Sequence, residues 1–132
     1  MIFVDSSFWI ALRFSRDSRH GEARDLLALR SGSPLVTSNH VRGETWTFLR
    51  RRAGHRSAMD FLNRLKTTAR LELAFVSREL EDEALEWLGR HDERPYSLVD
   101  ATSFALMRRL GIRAAFAFDG DFTAAGFVEL RP

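Results

Sequence analysis

The chain has 132 residues, the usual span of one domain, and 45% of them are hydrophobic, including 11 Phe and 3 Trp, which excludes a disordered chain. It has no cysteine, which excludes disulfides, cysteine-ligated zinc and thiol nucleophiles and makes a reducing compartment the simplest context. The formal charge is only +2, yet the sequence pI is about 9.9, and Lys66 is the only lysine among 20 basic residues.

The first apolar run, Met1–Val4, predicts a short buried strand over Ile2–Val4. Helical patterns follow over Ser7–Phe14 and His20–Leu29. Ser33-Pro34 is a turn, and Leu35–Thr37 is a second strand. Ser38 or Asn39 can cap a helix from about His40 to Arg52, whose buried face is marked by Val41, Thr45, Phe48 and Leu49 and which Gly54 ends. A further helix spans about Arg56–Lys66, and Leu71–Val76 is a third strand. Ser77 caps Glu79–Leu88, and Ser97 caps an apolar helix over Leu98–Leu110 that closes at Gly111. Ala114–Phe118 is a fourth strand ending in "DGDF", and Phe127–Leu130 a short fifth. Short apolar runs alternating with helices predict an α/β fold in one domain, with a mainly parallel sheet flanked by helices. "MIFVD" has no basic leader and no window has about 18 consecutive apolar residues, so neither a signal peptide nor a membrane span is expected. A cytoplasmic location is the corresponding expectation.

In an open parallel sheet, ligands bind beyond the carboxyl ends of the strands. Asp5 follows the first strand and Asp119 the fourth; each also suits a turn or cap. Glu44 lies about one turn inside its helix, with Thr47 and Phe48 where a surface Glu would find Lys or Arg; a solvated carboxylate is the alternative. Asp100 sits in a helix that is apolar or small on nearly every face, where an unpaired charge is costly. Ser97 and Asp100 also have capping-box spacing, and both readings are compatible. Asp121 is either a further member or a loop acid. Converging carboxylates repel, so the set requires a cation or raised pKa values. Oxygen-only ligands suit Mg²⁺ or Mn²⁺ rather than zinc, and phosphodiester hydrolysis is the chemistry they serve best. "AFAFDGDFT" also matches the nucleophile motif of haloacid-dehalogenase-type phosphatases, but only nine residues follow Thr123, too few to supply the rest of that site.

The segments "IFVDSSFWIAL", "SNHVRGETWTFL", "YSLVDATSFALMRRLGI" and "AFAFDGDFTAAGFVEL", in this order and spacing, resemble PIN-domain ribonucleases, specifically the VapC toxins of type II toxin–antitoxin pairs. The resemblance covers essentially the whole chain. It implies a Mg²⁺- or Mn²⁺-dependent endoribonuclease in which Asp5, Glu44, Asp100 and Asp119 hold metal and position water. It also implies auxiliary places for Ser6, beside the first acid, and for Asp121. An RNA substrate, a small antitoxin on a separate chain and a homodimer are implied as partners. The basic stretch "LRRRAGHR", with Arg50, Arg51 and Arg52, either tracks RNA phosphates or is a solvated helix end. Phe8, Trp9, Trp46 and Trp87 are either base-stacking surfaces or core. A PIN nuclease of RNA processing, or a PIN binding module without chemistry, are the alternatives to a toxin.

Overall fold

The computed structural model describes residues 1–132. Its elements run β1 (Ile2–Val4), α1 (Ser6–Arg13), α2 (His20–Leu29), β2 (Leu35–Ser38), α3 (Asn39–Ala53), α4 (His55–Thr67), β3 (Leu71–Ala74), α5 (Arg78–Arg90), α6 (Leu98–Leu110), β4 (Ala114–Phe116), α7 (Asp121–Ala124) and β5 (Val128–Glu129). The five strands form one sheet in the order β3-β2-β1-β4-β5, and every pairing is parallel. The expected α/β architecture is therefore present.

The chain leaves β1 toward β2 and β3, then returns past β1 to add β4 and β5. The direction of travel reverses between β1 and β4, so a crevice opens beyond their carboxyl ends. Asp5 and Asp119 follow these two strands, which explains why the sequence puts acids there.

Alternate side chains of β1 serve opposite faces of the sheet. On one face Phe8 of α1 stacks on Phe116 of β4, with ring centroids 4.5 Å apart, and Trp9 meets Phe61 of α4 edge-on. On the other, Phe3 stacks on Phe122, which meets Phe104 of α6 edge-on at 4.9 Å. Phe3, Phe8, Phe104, Phe116 and Phe122 are fully buried. Each contributes about 1.5–3 kcal/mol by leaving water.

Three strands are shorter than expected and one helix is additional. β3 stops at Ala74 rather than Val76, whose N–H donates to Asn39 Oδ1 (2.8 Å), and β5 is only Val128–Glu129 rather than Phe127–Leu130. β4 stops at Phe116 rather than Phe118, because the Phe118 N–H donates to Ser7 Oγ (3.0 Å) instead of a ladder partner. The segment after Gly120, read as loop, is the short helix α7. Gly120 has φ +82° and so turns the chain where most side chains would be strained.

Candidate active site

Asp5 is both a helix cap and a buried acid. Its Oδ2 accepts from the backbone N–H of Ser7 (3.1 Å) and from the Ser7 hydroxyl (2.7 Å). Ser7 Oγ in turn accepts from the Phe118 N–H, so one serine joins the ends of β1 and β4. The other carboxylate oxygen of Asp5, Oδ1, is buried without a hydrogen-bond partner. Burial, with the charges of Asp119 and Asp100 adding to it, pushes the Asp5 carboxyl up to about 8.

Asp100 is positioned by the capping box anticipated from spacing. Its N–H donates to Ser97 Oγ (2.9 Å), and its Oδ2 accepts from the Ser97 N–H (3.0 Å). α6 is buried from Asp100 through Met107, and burial raises the Asp100 pKa. Asp119 Oδ1 accepts from the Asp121 N–H (3.1 Å), and burial with the neighbouring acids pushes Asp119 up to about 6. Asp100, Asp119 and Asp121 each present a carboxylate oxygen within 4.8 Å of the others. Asp5 borders this trio closely enough for its ionisation to feel two of the three charges.

Glu44 sits at the rim. It is exposed, and its charge reaches Asp100. Ser6 does not support Asp5, as its place in the sequence suggested; its hydroxyl donates to Glu44 Oε1, and Ser7 takes the role beside Asp5. His40 lies near Thr102 of α6 rather than pairing with Glu44.

Two residues that sequence reasoning missed organise the last acids. Arg94, in the α5–α6 connection, donates from Nε to Asp121 Oδ1 (2.9 Å). Glu129 on β5 accepts from the N–H groups of Gly120 (3.2 Å) and Thr123 (3.0 Å), pinning both ends of the turn that carries Asp121. Neither has a local sequence signal, since Arg94 and Asp121 are 27 positions apart.

Of the basic stretch, Arg51 and Arg52 line a hollow of about 290 Å³ together with Glu44, Thr47 and Phe48, whereas Arg50 is exposed outside that lining. Phe8 and Trp9 are core residues. Trp87 stacks on His91 and packs against Phe104, and Trp46 is half-buried with an unpartnered indole N–H.

The donor set near the crevice is carboxylate oxygen alone, which fits a hard divalent cation. The unpartnered, buried Oδ1 of Asp5 beside a packed acidic trio is the specific observation in favour of that fit, since such a carboxylate is stable only when protonated or when it faces a cation.

The PIN domain family model matches residues 2–128. The 23S rRNA-specific endonuclease VapC20 of Mycobacterium tuberculosis, from strains CDC 1551 and H37Rv, is 61% identical over 134 aligned positions, covering 100% of this chain and 99% of the relative. A crystal structure of Mycobacterium tuberculosis VapC20, a sarcin–ricin loop cleaving toxin, superposes with a TM-score of 0.95 at 55% identity and full coverage of both chains. With its acids at the β1/β4 switch point and this similarity along its whole length, the chain belongs to the PIN-domain family, among the VapC-type ribonuclease toxins.

Proposed function

We propose that this chain is a divalent-metal-dependent endoribonuclease toxin that hydrolyses a phosphodiester bond in the sarcin–ricin loop of 23S rRNA. The observation that carries the site is the buried Asp5 carboxylate with one free oxygen, set against Asp100 and Asp119. The observation that favours the substrate is the 61% identity, end to end, to a 23S rRNA-specific endonuclease. Action on 23S rRNA would require a cytoplasmic protein.

Asp100, Asp119 and Asp121, whose carboxylate oxygens lie together, would hold Mg²⁺ or Mn²⁺, with Asp5 adding its free Oδ1 from beside them and Glu44 as an outer member. The bound ion would supply Lewis acidity and make water a stronger nucleophile at neutral pH. Ser7 fixes the Asp5 carboxylate, and the Ser97 capping box fixes Asp100, so neither must be ordered during the reaction. Glu44, held by Ser6, faces solvent where an RNA strand would arrive and can orient a water by accepting its proton. Arg51 and Arg52 supply fixed positive charge for backbone phosphates, and Arg50 extends it.

A small antitoxin on a separate chain would silence the acidic crevice. A homodimer is the proposed assembly, supported by exposed apolar Leu85 on α5 and by Leu98 and Leu110 on α6. Mapping new RNA 5′ ends after brief expression tests the function. Wild type should create one dominant end in the sarcin–ricin loop, and Asp5→Asn none. New ends scattered across messenger RNA, with 23S rRNA intact, would overturn the substrate; the same ends from Asp5→Asn would overturn the site.

A further inference from the structure

A hollow of about 300 Å³ opens beside Asp119, with Ile10, Asp17, Arg19, Phe48 and Phe118 among its walls. Its volume matches the small end of ligand sites. Three features distinguish it from surface roughness. Two of its walls are the half-buried rings of Phe48, from α3, and Phe118, two residues beyond β4. The rings carry guanidiniums: Arg52 lies 5.5 Å from the Phe48 centroid, and Phe118 has two, Arg131 at 5.0 Å and Arg19 at 5.2 Å. It is also continuous with the catalytic crevice, because Asp119 lines it directly and Phe48 separates it from the hollow containing Glu44, Arg51 and Arg52.

A hollow with two aromatic walls, one arginine and the carboxylates of Asp17 and Asp119 suits one flat, uncharged group with hydrogen-bonding edges, attached to a polyanion that the nearby guanidiniums can meet. That describes an unstacked nucleobase, whose π-face stacks on an aromatic ring while its phosphate meets arginine. An acidic peptide side chain would meet Asp17 and Asp119 as well as Arg19, and an aliphatic one would gain nothing from the guanidiniums.

We propose that this hollow is a nucleobase pocket that receives the base of a nucleotide next to the scissile phosphate. Phe48, Phe118 and Arg19 are then positioning residues, holding the strand so that the bond to be cut lies over Asp119. The inference rests on the ribonuclease reading and adds to it the residues that fix the strand's register. Asp17, whose Oδ1 accepts from the Arg19 N–H (2.8 Å), sets the turn that presents Arg19.

The test is a double-mutant cycle between protein and RNA, using a short sarcin–ricin-type stem-loop and its versions with an abasic site at each nucleotide flanking the cut. Phe48→Leu keeps apolar volume and removes the π-face. Arg19→Ala is the second variant, on a side chain that can be removed without opening the core. Wild-type cleavage of the intact RNA is the control that tests the ribonuclease reading itself. Phe48→Leu and one abasic substitution should each lower kcat/KM by about tenfold or more, the scale of one base–aromatic stack. Combined, they should lower it no further than the larger single effect, while thermal melting stays near wild type. Multiplied losses at every abasic position, or no loss from either protein variant, would overturn the pocket while leaving the nuclease assignment standing. Equal loss on intact and abasic RNA would also overturn it, by showing that the hollow serves the fold or a protein partner.

Discussion

An Asp5→Asn substitution should stabilise the metal-free protein at alkaline pH while it abolishes cleavage. Asp5 is 1% exposed, and burial against Asp119 and Asp100 moves its carboxyl from 3.8 up to about 8. The unfolded chain returns it to the ordinary range, so between about pH 4 and pH 8 the native state holds a proton that the unfolded state lacks. A native state that binds more protons loses stability as pH rises. The favourable contribution is complete below about pH 4 and lost once pH passes about 8. The full span corresponds to on the order of 5 kcal/mol against the ionised form. Asparagine carries no charge, and its carbonyl can accept both Ser7 hydrogen bonds. Its amide N–H₂ would lie where Asp5 Oδ1 already lacks a partner, a cost of about 1–3 kcal/mol. The net gain at pH 8 is then about 2–4 kcal/mol, or roughly 6–15 °C in Tm for a chain of this size. Scanning calorimetry in EDTA at pH 5 and pH 8 measures it. A Tm for Asp5→Asn at or below wild type at pH 8, or a gap that fails to narrow at pH 5, would refute the reasoning.

Adding millimolar Mg²⁺ at pH 8 should raise the wild-type Tm and move Asp5→Asn much less, because the ion stabilises only a state that binds it; differential scanning fluorimetry with a Mg²⁺ titration checks this. Ser6→Ala frees Glu44 from its hydrogen bond and should lower kcat about tenfold with little change in Tm, measured by single-turnover cleavage. Arg94→Gln removes the cation bound to Asp121 and should tighten Mn²⁺ binding several-fold in calorimetric titration, whereas unchanged affinity would place Asp121 outside the metal-binding set. Arg51→Ala and Arg52→Ala should each reduce the salt slope of RNA affinity by about 0.7–1, seen in binding isotherms on the Asp5→Asn background.

The positions of the candidate site were legible in the sequence wherever chain-local rules place a residue. Asp5 and Asp119 come after apolar runs that must be strands, and parallel strands deliver the residues at their carboxyl ends to one edge of the sheet. Asp100 was legible twice over, as a charge in an apolar helix and as half of a capping box, and both roles hold. The features that stayed hidden depend on contacts between distant segments. Ser6 reaches Glu44 across 38 positions, so adjacency to Asp5 suggested the wrong partner for it. Arg94 and Glu129 occupy a connection and a two-residue edge strand, neither of which carries a pattern. Phe48 reads as core from helical period alone, and only the packing of α3 against α1 brings its half-buried ring into one hollow with Asp119. α7 was missed because Asp-Gly is a turn signal, and the helix it opens has only four residues.

Cleavage of a purified sarcin–ricin stem-loop RNA, with and without EDTA, by wild type and by Asp5→Asn, tests the central claim most directly. Wild type should make one cut in the loop, lose it in EDTA and regain it with Mg²⁺ or Mn²⁺, and Asp5→Asn should make none under any of these conditions. A cut by Asp5→Asn at the wild-type rate, or a wild-type cut that persists in EDTA, would contradict a metal-dependent site built on Asp5.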